Sequence, residues 1–452
     1  MLEFKKQEIP LTGSIKIQGD KDISCLSLIL SSLAKGKSKI YNLSESLEII
    51  NLTDILHQFG ISIQKDINYN CWIVESKGLN FLKEPNNIIN IKNSKEILYL
   101  LIGLLSSYNF KVFFKGDDEL SDISIEDIIN IFQKINVKFD ARQEKKLPLL
   151  MNGNNLKNQI IHEIYEYNSI LKNSLLLASL IQAKSNIIRE KEKSKDHLEI
   201  LMRYFGIDFE EHELGNKGSL TTKIGKEIII SGNQEFFGKE INIPGDVTIS
   251  AFITSLALII PNSDITIKNV LMSQYRDSFY RTLVDMGANI NFTNKRISCG
   301  EKISDINIKY SELKETTIPA NRVYKMLNEY PFLIVLASLN QAKITIQGTD
   351  IIKEKDLENY NYILKIIKDL GVDFVDSKNN LIIKNQIQNL KNKLTLDANK
   401  IHFKTGLALL LFGCFMENGV FINEDFIYSN FPTVRETLKK LKVNAIFEYE
   451  FI

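Results

Sequence analysis

The side chains in this sequence that can grip an anion are nearly all lysines. Lys and Arg together number 56 against 55 Asp and Glu, a formal net charge of +1, and only eight of those cations are Arg. Arg offers a planar fork that matches carboxylate and phosphate, whereas Lys is a point charge on a flexible stem. Any local anion pocket must therefore be assembled mainly from ammonium groups. The four cysteines, Cys25, Cys71, Cys299 and Cys414, lie far apart with no CxxC pair. They read as core or half-buried thiols in a reducing compartment, and indicate neither a disulfide framework nor a zinc site. No GxGxxG follows a strand, GSIKIQGDKDIS lacks that spacing, and no GxxxxGK(S/T) loop occurs, which removes dinucleotide-binding and phosphate-loop chemistry.

The elements that must position such residues come next. At 452 residues the chain exceeds one ordinary core and readily supplies two. Its 44% apolar and 25% charged residues fall in the globular range, so it should fold throughout. A net charge near zero provides no global field toward nucleic acid or anionic lipid. The start, MLEFKKQEIPLTGSIKIQG, has no apolar h-region, and no apolar run reaches about 18 residues. The expectation is a cytoplasmic protein with no membrane span.

One pattern recurs six times: an apolar helical run, a polar break, a β-branched strand, an amphipathic helix, then often Gly and another strand. The runs begin at Ile23, Ile97, Ile170, Ile249, Pro331 and Gly406, separated by 74, 73, 79, 82 and 75 residues. The first helix of each unit is apolar on most faces and calls for burial; the second carries a narrower stripe and should keep one wet face. Gly60, Gly206, Gly287 and Gly371 suit a left-handed residue just past the second helix, where copies two and six put Asn136 and Lys442. Because no unit covers its own apolar helix, neighbouring units must close around it. Six units split three and three predict an α/β protein of two domains, with helices inside and sheets outside.

The segment LTGSIKIQGDKDISCLSLILSSLAKGKSKIYNL resembles the amino-terminal signature of the enolpyruvyl transferases. NSLLLASLIQAKSNIIREKEKSKDHLEILMRYFGI, INIPGDVTISAFITSLALIIPNSDITIKNV and NFPTVRETLKKL extend the resemblance along the chain. It is closest to the 3-phosphoshikimate 1-carboxyvinyltransferase (5-enolpyruvylshikimate-3-phosphate synthase) branch. The sister branch, which acts on UDP-N-acetylglucosamine, begins with a GAKNAAL-like segment and uses a loop cysteine not evident here. The resemblance implies an inside-out α/β barrel in each of two domains, residues 1–20 plus 243–452 and residues 21–242, with an active cleft between them. It implies transfer of enolpyruvyl from phosphoenolpyruvate to the 5-hydroxyl of shikimate 3-phosphate, in aromatic amino acid biosynthesis. The partners would be those two small anions, with no metal, no organic cofactor, and a chain acting as a monomer.

Adding an alcohol to C2 of phosphoenolpyruvate needs a base near the hydroxyl, an acid for C3, and fixed cations for phosphate and carboxylate. Carried over by matching motif, the catalytic candidates are Lys21, Asn328, Lys355 and Asp356, and the substrate-binding ones Lys21, Asp22, Asn93, Asn168, Ser169, Asn328 and Lys355. Asp22 has a second reading, as N-cap of the helix opening at Ile23. Lys172 matches the family's lysine in its SAQxK segment, and Ser194, Lys195, Asp196 and His197 match SRDH, where His197 reads equally as architecture. The departures concern charge: Leu26, Tyr99, Ile123 and Asn359 stand where the family has Arg, Lys92 and Lys95 where it has Gly, and Asn328 where it has the catalytic Asp. Lys404 is a displaced cation. One lost charge-assisted phosphate contact costs roughly 1.5–3 kcal/mol, or about ten- to a hundredfold. Two alternatives therefore stand beside the transferase: a catalytically impaired descendant that binds a small anion or partner protein, and a transferase for another hydroxyl acceptor.

Overall fold

The computed structural model describes residues 1–154, 159–165, 167–182, 184–215 and 225–448. Two compact units emerge, one formed by Met1–Asp20 with Pro244–Ile452 and one, inserted into it, by Lys21–Ile243. The second crossing falls after Ile243 because its N–H still donates to the Tyr41 carbonyl at 3.0 Å.

Among the described residues each unit holds three four-stranded sheets of one design. A short strand lies parallel to a second, which pairs antiparallel with a third, which pairs antiparallel with a fourth. In the inserted unit these are Glu240–Asn242, Lys35–Tyr41, Cys71–Lys77 and Ser62–Asp66, in register through Ile241, Ile40 and Trp72. In the terminal unit Thr12–Lys16, Asp264–Leu271, Glu301–Lys309 and Asn289–Ser298 repeat it. Alternation along Lys35–Tyr41 buries Ser38 and Ile40 and leaves Lys37 outside, as a sheet with one covered face requires.

The two helix classes expected from the repeat are present. In Lys21–Leu33, 11 of 13 residues are buried, and in Val247–Ile259, 12 of 13; Leu47–Gln58 buries five of 12 and Val434–Leu441 four of 8. Three of the buried helices open on a side-chain cap, Ser94 accepting from Ile97 N–H, Asn168 from Leu171 and Asp246 from Ile249, which satisfies N–H groups that the helix leaves unpaired. Lys95–Leu105 approaches Ser169–Ile181 so closely that a Cβ on Gly103 would sit 2.2 Å from the Ser174 carbonyl oxygen. The Ser174 hydroxyl donates to the Tyr99 carbonyl across the same contact. No described helix is long and apolar enough to cross a membrane.

Just past the second helix of each of the six units the backbone is left-handed. Gly60, Gly206, Gly287 and Gly371 have φ of 86°, 87°, 87° and 82°, and Asn136 and Lys442 have 71° and 58°. The variation in sequence at this position conceals a uniform conformation.

Candidate active site

In the inserted unit, Lys21 is the first residue of its helix, and its ammonium lies 2.5 Å from Glu48 on the following helix. Glu48 also accepts from the Ser94 hydroxyl, so the residue that caps Lys95–Leu105 is tied to the same carboxylate. Asp22 is not the cap: the helix already includes it, and its carboxylate pairs with Lys195 at 2.7 Å. Burial works against the charge of Lys21, but Glu48, by charge and hydrogen bond, outweighs it and raises the lysine above its ordinary value. Glu96, in the first turn of the Ser94-capped helix, is pushed up to about 8 by burial and by Asp22 and Glu48, against the pull of Lys195 and Lys21. Two ammonium groups and three carboxylates thus share one region, a compensated site whose cations already hold internal anions.

Next to it lies a network whose centre, Lys172 with Glu190 and Glu199, is wholly buried. Lys172, 0% exposed, sits 2.6 Å from Glu199 and 3.6 Å from Glu190, and donates to the Lys195 carbonyl at 2.6 Å. Lys226 approaches Glu199 at 2.7 Å and Glu211 at 3.1 Å, and Glu211 meets Arg203 at 2.5 Å. Burial pushes Glu190 up. For Glu199 the burial cost is outweighed by Lys172 and Lys226, which hold it down to about 2.

The other candidates of this unit are placed differently. Asn93 is exposed and donates to Glu119, and Asn168 is occupied as a cap, with Ser169 half-buried beside it. Leu26 is core, Tyr99 donates to Asp127 and Ile123 is exposed. None of these three positions supplies a cation.

In the terminal unit the centre is Asp356, where the helix Thr349–Asp369 breaks at φ −155°, ψ 49°. Its carboxylate receives Asn359 Nδ2 at 2.9 Å, Lys404 Nζ at 3.1 Å, the Tyr330 hydroxyl at 3.2 Å and, at 3.4 Å, His402 Nδ1. Burial would raise this carboxyl, but the His402 hydrogen bond and the Lys404 charge outweigh it and hold it well below the usual carboxylate range. Asn359, in the expected Arg position, has become an orienting group, because its Oδ1 also accepts from the His402 backbone N–H at 2.7 Å. Lys355, expected to work with Asp356, is exposed, with its ammonium 3.0 Å from Glu354. Asn328 is half-buried in the turn before Tyr330–Leu339.

One pair escaped the sequence reading. Glu329, fully buried, accepts from Thr248 at 3.0 Å and from Arg276 at 2.9 Å. The signal was available, since a carboxylate beside an apolar run needs a cation and Arg is scarce, but Arg276 lies 53 residues away.

The model of the family described as EPSP synthase (3-phosphoshikimate 1-carboxyvinyltransferase) matches residues 5–438. The chain belongs to the EPSP synthase family. A 3-phosphoshikimate 1-carboxyvinyltransferase from Bartonella tribocorum is 30% identical over 434 residues, covering 95% of this chain and 96% of that one. Among solved structures, EPSP synthase from Acinetobacter baumannii matches with a TM-score of 0.86 at 22% identity, covering 98% of this chain and 99% of that chain. The enolpyruvyl transferase NikO from Streptomyces tendae matches at 0.72 and 13%, covering 98% of each. At these identities the structural likeness shows a shared fold, the mixed α/β architecture of the enolpyruvyl transferases. Membership in the EPSP synthase family thus coexists with uncharged side chains at Leu26, Tyr99, Ile123 and Asn359, where the resemblance led us to expect arginine.

Proposed function

We propose that the chain transfers the enolpyruvyl group of phosphoenolpyruvate to the 5-hydroxyl of shikimate 3-phosphate and releases phosphate. The observation that carries this reading is the match to one family across residues 5–438. The chemistry needs the hydroxyl to give its proton to a base as its oxygen bonds C2 and C3 takes a proton to become a methyl, and then loss of one methyl proton to a base as the C2–O bond breaks and phosphate leaves with that electron pair. Lys21 and Lys195 supply ammonium groups for the anionic parts of the substrates once Glu48 and Asp22 give way. Lys404, fixed at 3.1 Å by Asp356, replaces an arginine with a point charge. Asp356, held ionised, orients Lys404 and His402, and Lys355 and Lys404 are the ammonium groups able to lend C3 a proton. Asn328 can position a hydroxyl as a hydrogen-bond partner but has no useful basicity.

A second reading, a descendant that binds small anions without turnover, is favoured by the fate of Leu26, Tyr99, Ile123 and Asn359, none of which offers a cation. Purified protein mixed with both substrates decides between the two. Phosphate release together with the enolpyruvyl ether proton signals supports the transferase. No release from natively folded protein, with calorimetric binding of shikimate 3-phosphate retained, supports the descendant.

A further inference from the structure

A buried ion pair is weak evidence of a gain in stability, so the buried lysine of the inserted unit calls for another role. Taking an ammonium wholly out of water carries a large desolvation cost, and apolar side chains of similar size commonly equal or exceed a buried ion pair in stability. The contacts of Lys172 suggest what its charge is for. They fall on Glu190, which ends the strand Ser185–Glu190, on Glu199 in the helix His197–Phe205, and on the Lys195 carbonyl in the segment between them. That segment is cross-tied once more, because the Ser194 hydroxyl donates to Glu190. Lys226 completes the charge balance by sharing Glu199 at 2.7 Å. An ammonium has three donors and no preferred plane, which suits it to gather a carbonyl and two carboxylates from three elements around one point.

We infer that Lys172 is a positioning residue: by holding the Lys195 carbonyl from inside the unit, it fixes where the Lys195 ammonium stands, 2.7 Å from Asp22, to meet an anionic group of the acceptor. The inference deepens the proposed transferase reading and rests on it for the substrate, but the positioning itself has a readout that needs no turnover.

Because Lys172→Met alone strands Glu190, the working variant is the charge-balanced Lys172→Met/Glu190→Gln, compared with Lys195→Met and with all three substitutions together. Lys172→Met/Glu190→Gln is expected to raise KM for shikimate 3-phosphate about tenfold and change kcat less than about threefold. Added to Lys195→Met it should change KM less than about twofold, since both act along one path. Independent, multiplying effects on KM, or an unchanged KM, overturn the inference. Hydrogen exchange of residues 191–196 is measured on the same proteins. Faster exchange confined to that segment in Lys172→Met/Glu190→Gln is expected, and unchanged protection there overturns the positioning role. If wild-type protein shows no turnover, the transferase reading has failed; the four proteins are then compared by calorimetric affinity for shikimate 3-phosphate, where the same non-additivity is expected and additivity overturns it.

Discussion

Glu96 shows how a single side chain can set the charge of a site. It follows Lys95, one of the two lysines at expected glycine positions, and nothing in the sequence singled it out. In the fold it faces Asp22 and Glu48 among the anions and Lys21 and Lys195 among the cations, and burial with the two anions pushes it up to about 8. A carboxyl raised in the native state binds its proton more tightly than the unfolded chain does, so its contribution is fully present below the ordinary Glu range and is lost as pH rises through about 8. Glu96→Gln mimics the protonated form and lacks this loss. Melting temperatures across pH 5–9 should show the variant more stable than wild type at pH 9, with the gap closing toward pH 5; curves that run parallel throughout would contradict the assignment. Asp356 has the opposite sign. Its depressed carboxyl stabilises above the ordinary Asp range and loses that contribution as the solution is acidified. Asp356→Asn should cost about 3 kcal/mol at pH 7, far less near pH 2, and lower turnover by roughly a hundredfold or more. Asp356 was singled out by its motif position; its partners were not, because Lys404 and His402 come from another helix region and Asn359 looks, in sequence, like a simple loss.

The helices and their exits were the most legible level, because burial and chirality act locally. A run apolar on every face must be enclosed, and six such runs at one period describe six copies of one unit without any knowledge of contacts. Sequence alone misleads at the exits only where residue type and conformation part company. Asn136 and Lys442 look like exceptions to a glycine rule, yet both take the left-handed backbone that the next strand demands. For an L side chain this geometry costs about 1–2 kcal/mol, so Lys442→Gly should raise stability by about 1 kcal/mol. Gly206→Ala makes the converse test. Its φ is +87° and nothing lies within 4 Å of an added Cβ, so the expected loss of about 1 kcal/mol is conformational, free of any clash. Denaturant midpoints shifting in opposite directions, with unchanged slopes, check the pair. The glycine at position 103 is a different case: close helix packing is a tertiary fact, and nothing in ILYLLIGLL announces which neighbour its bare backbone will meet.

At the scale of the whole molecule, the two crossings of the chain make one unit an insertion into the other. Every sheet draws its four strands from a single unit. The ion pairs Lys21–Glu48, Lys172–Glu199 and Lys195–Asp22 likewise lie within residues 21–243. The ends of the interrupted unit are already together, because Asp20 N–H donates to the Pro244 carbonyl at 2.7 Å and Gly19 bridges Gly245. Each segment is long enough to bury a core of its own. Residues 21–243 expressed alone should therefore unfold cooperatively on heating. The complement, Asp20 rejoined to Pro244 through a few glycines, should do the same, since closing so short a gap adds little loop entropy. Scanning calorimetry with near-ultraviolet dichroism checks both. A broad, non-cooperative melt of 21–243 with dye-binding apolar surface would mean that the unit completes its core with residues outside itself, and Lys172 could then not be treated as anchored by its own unit alone.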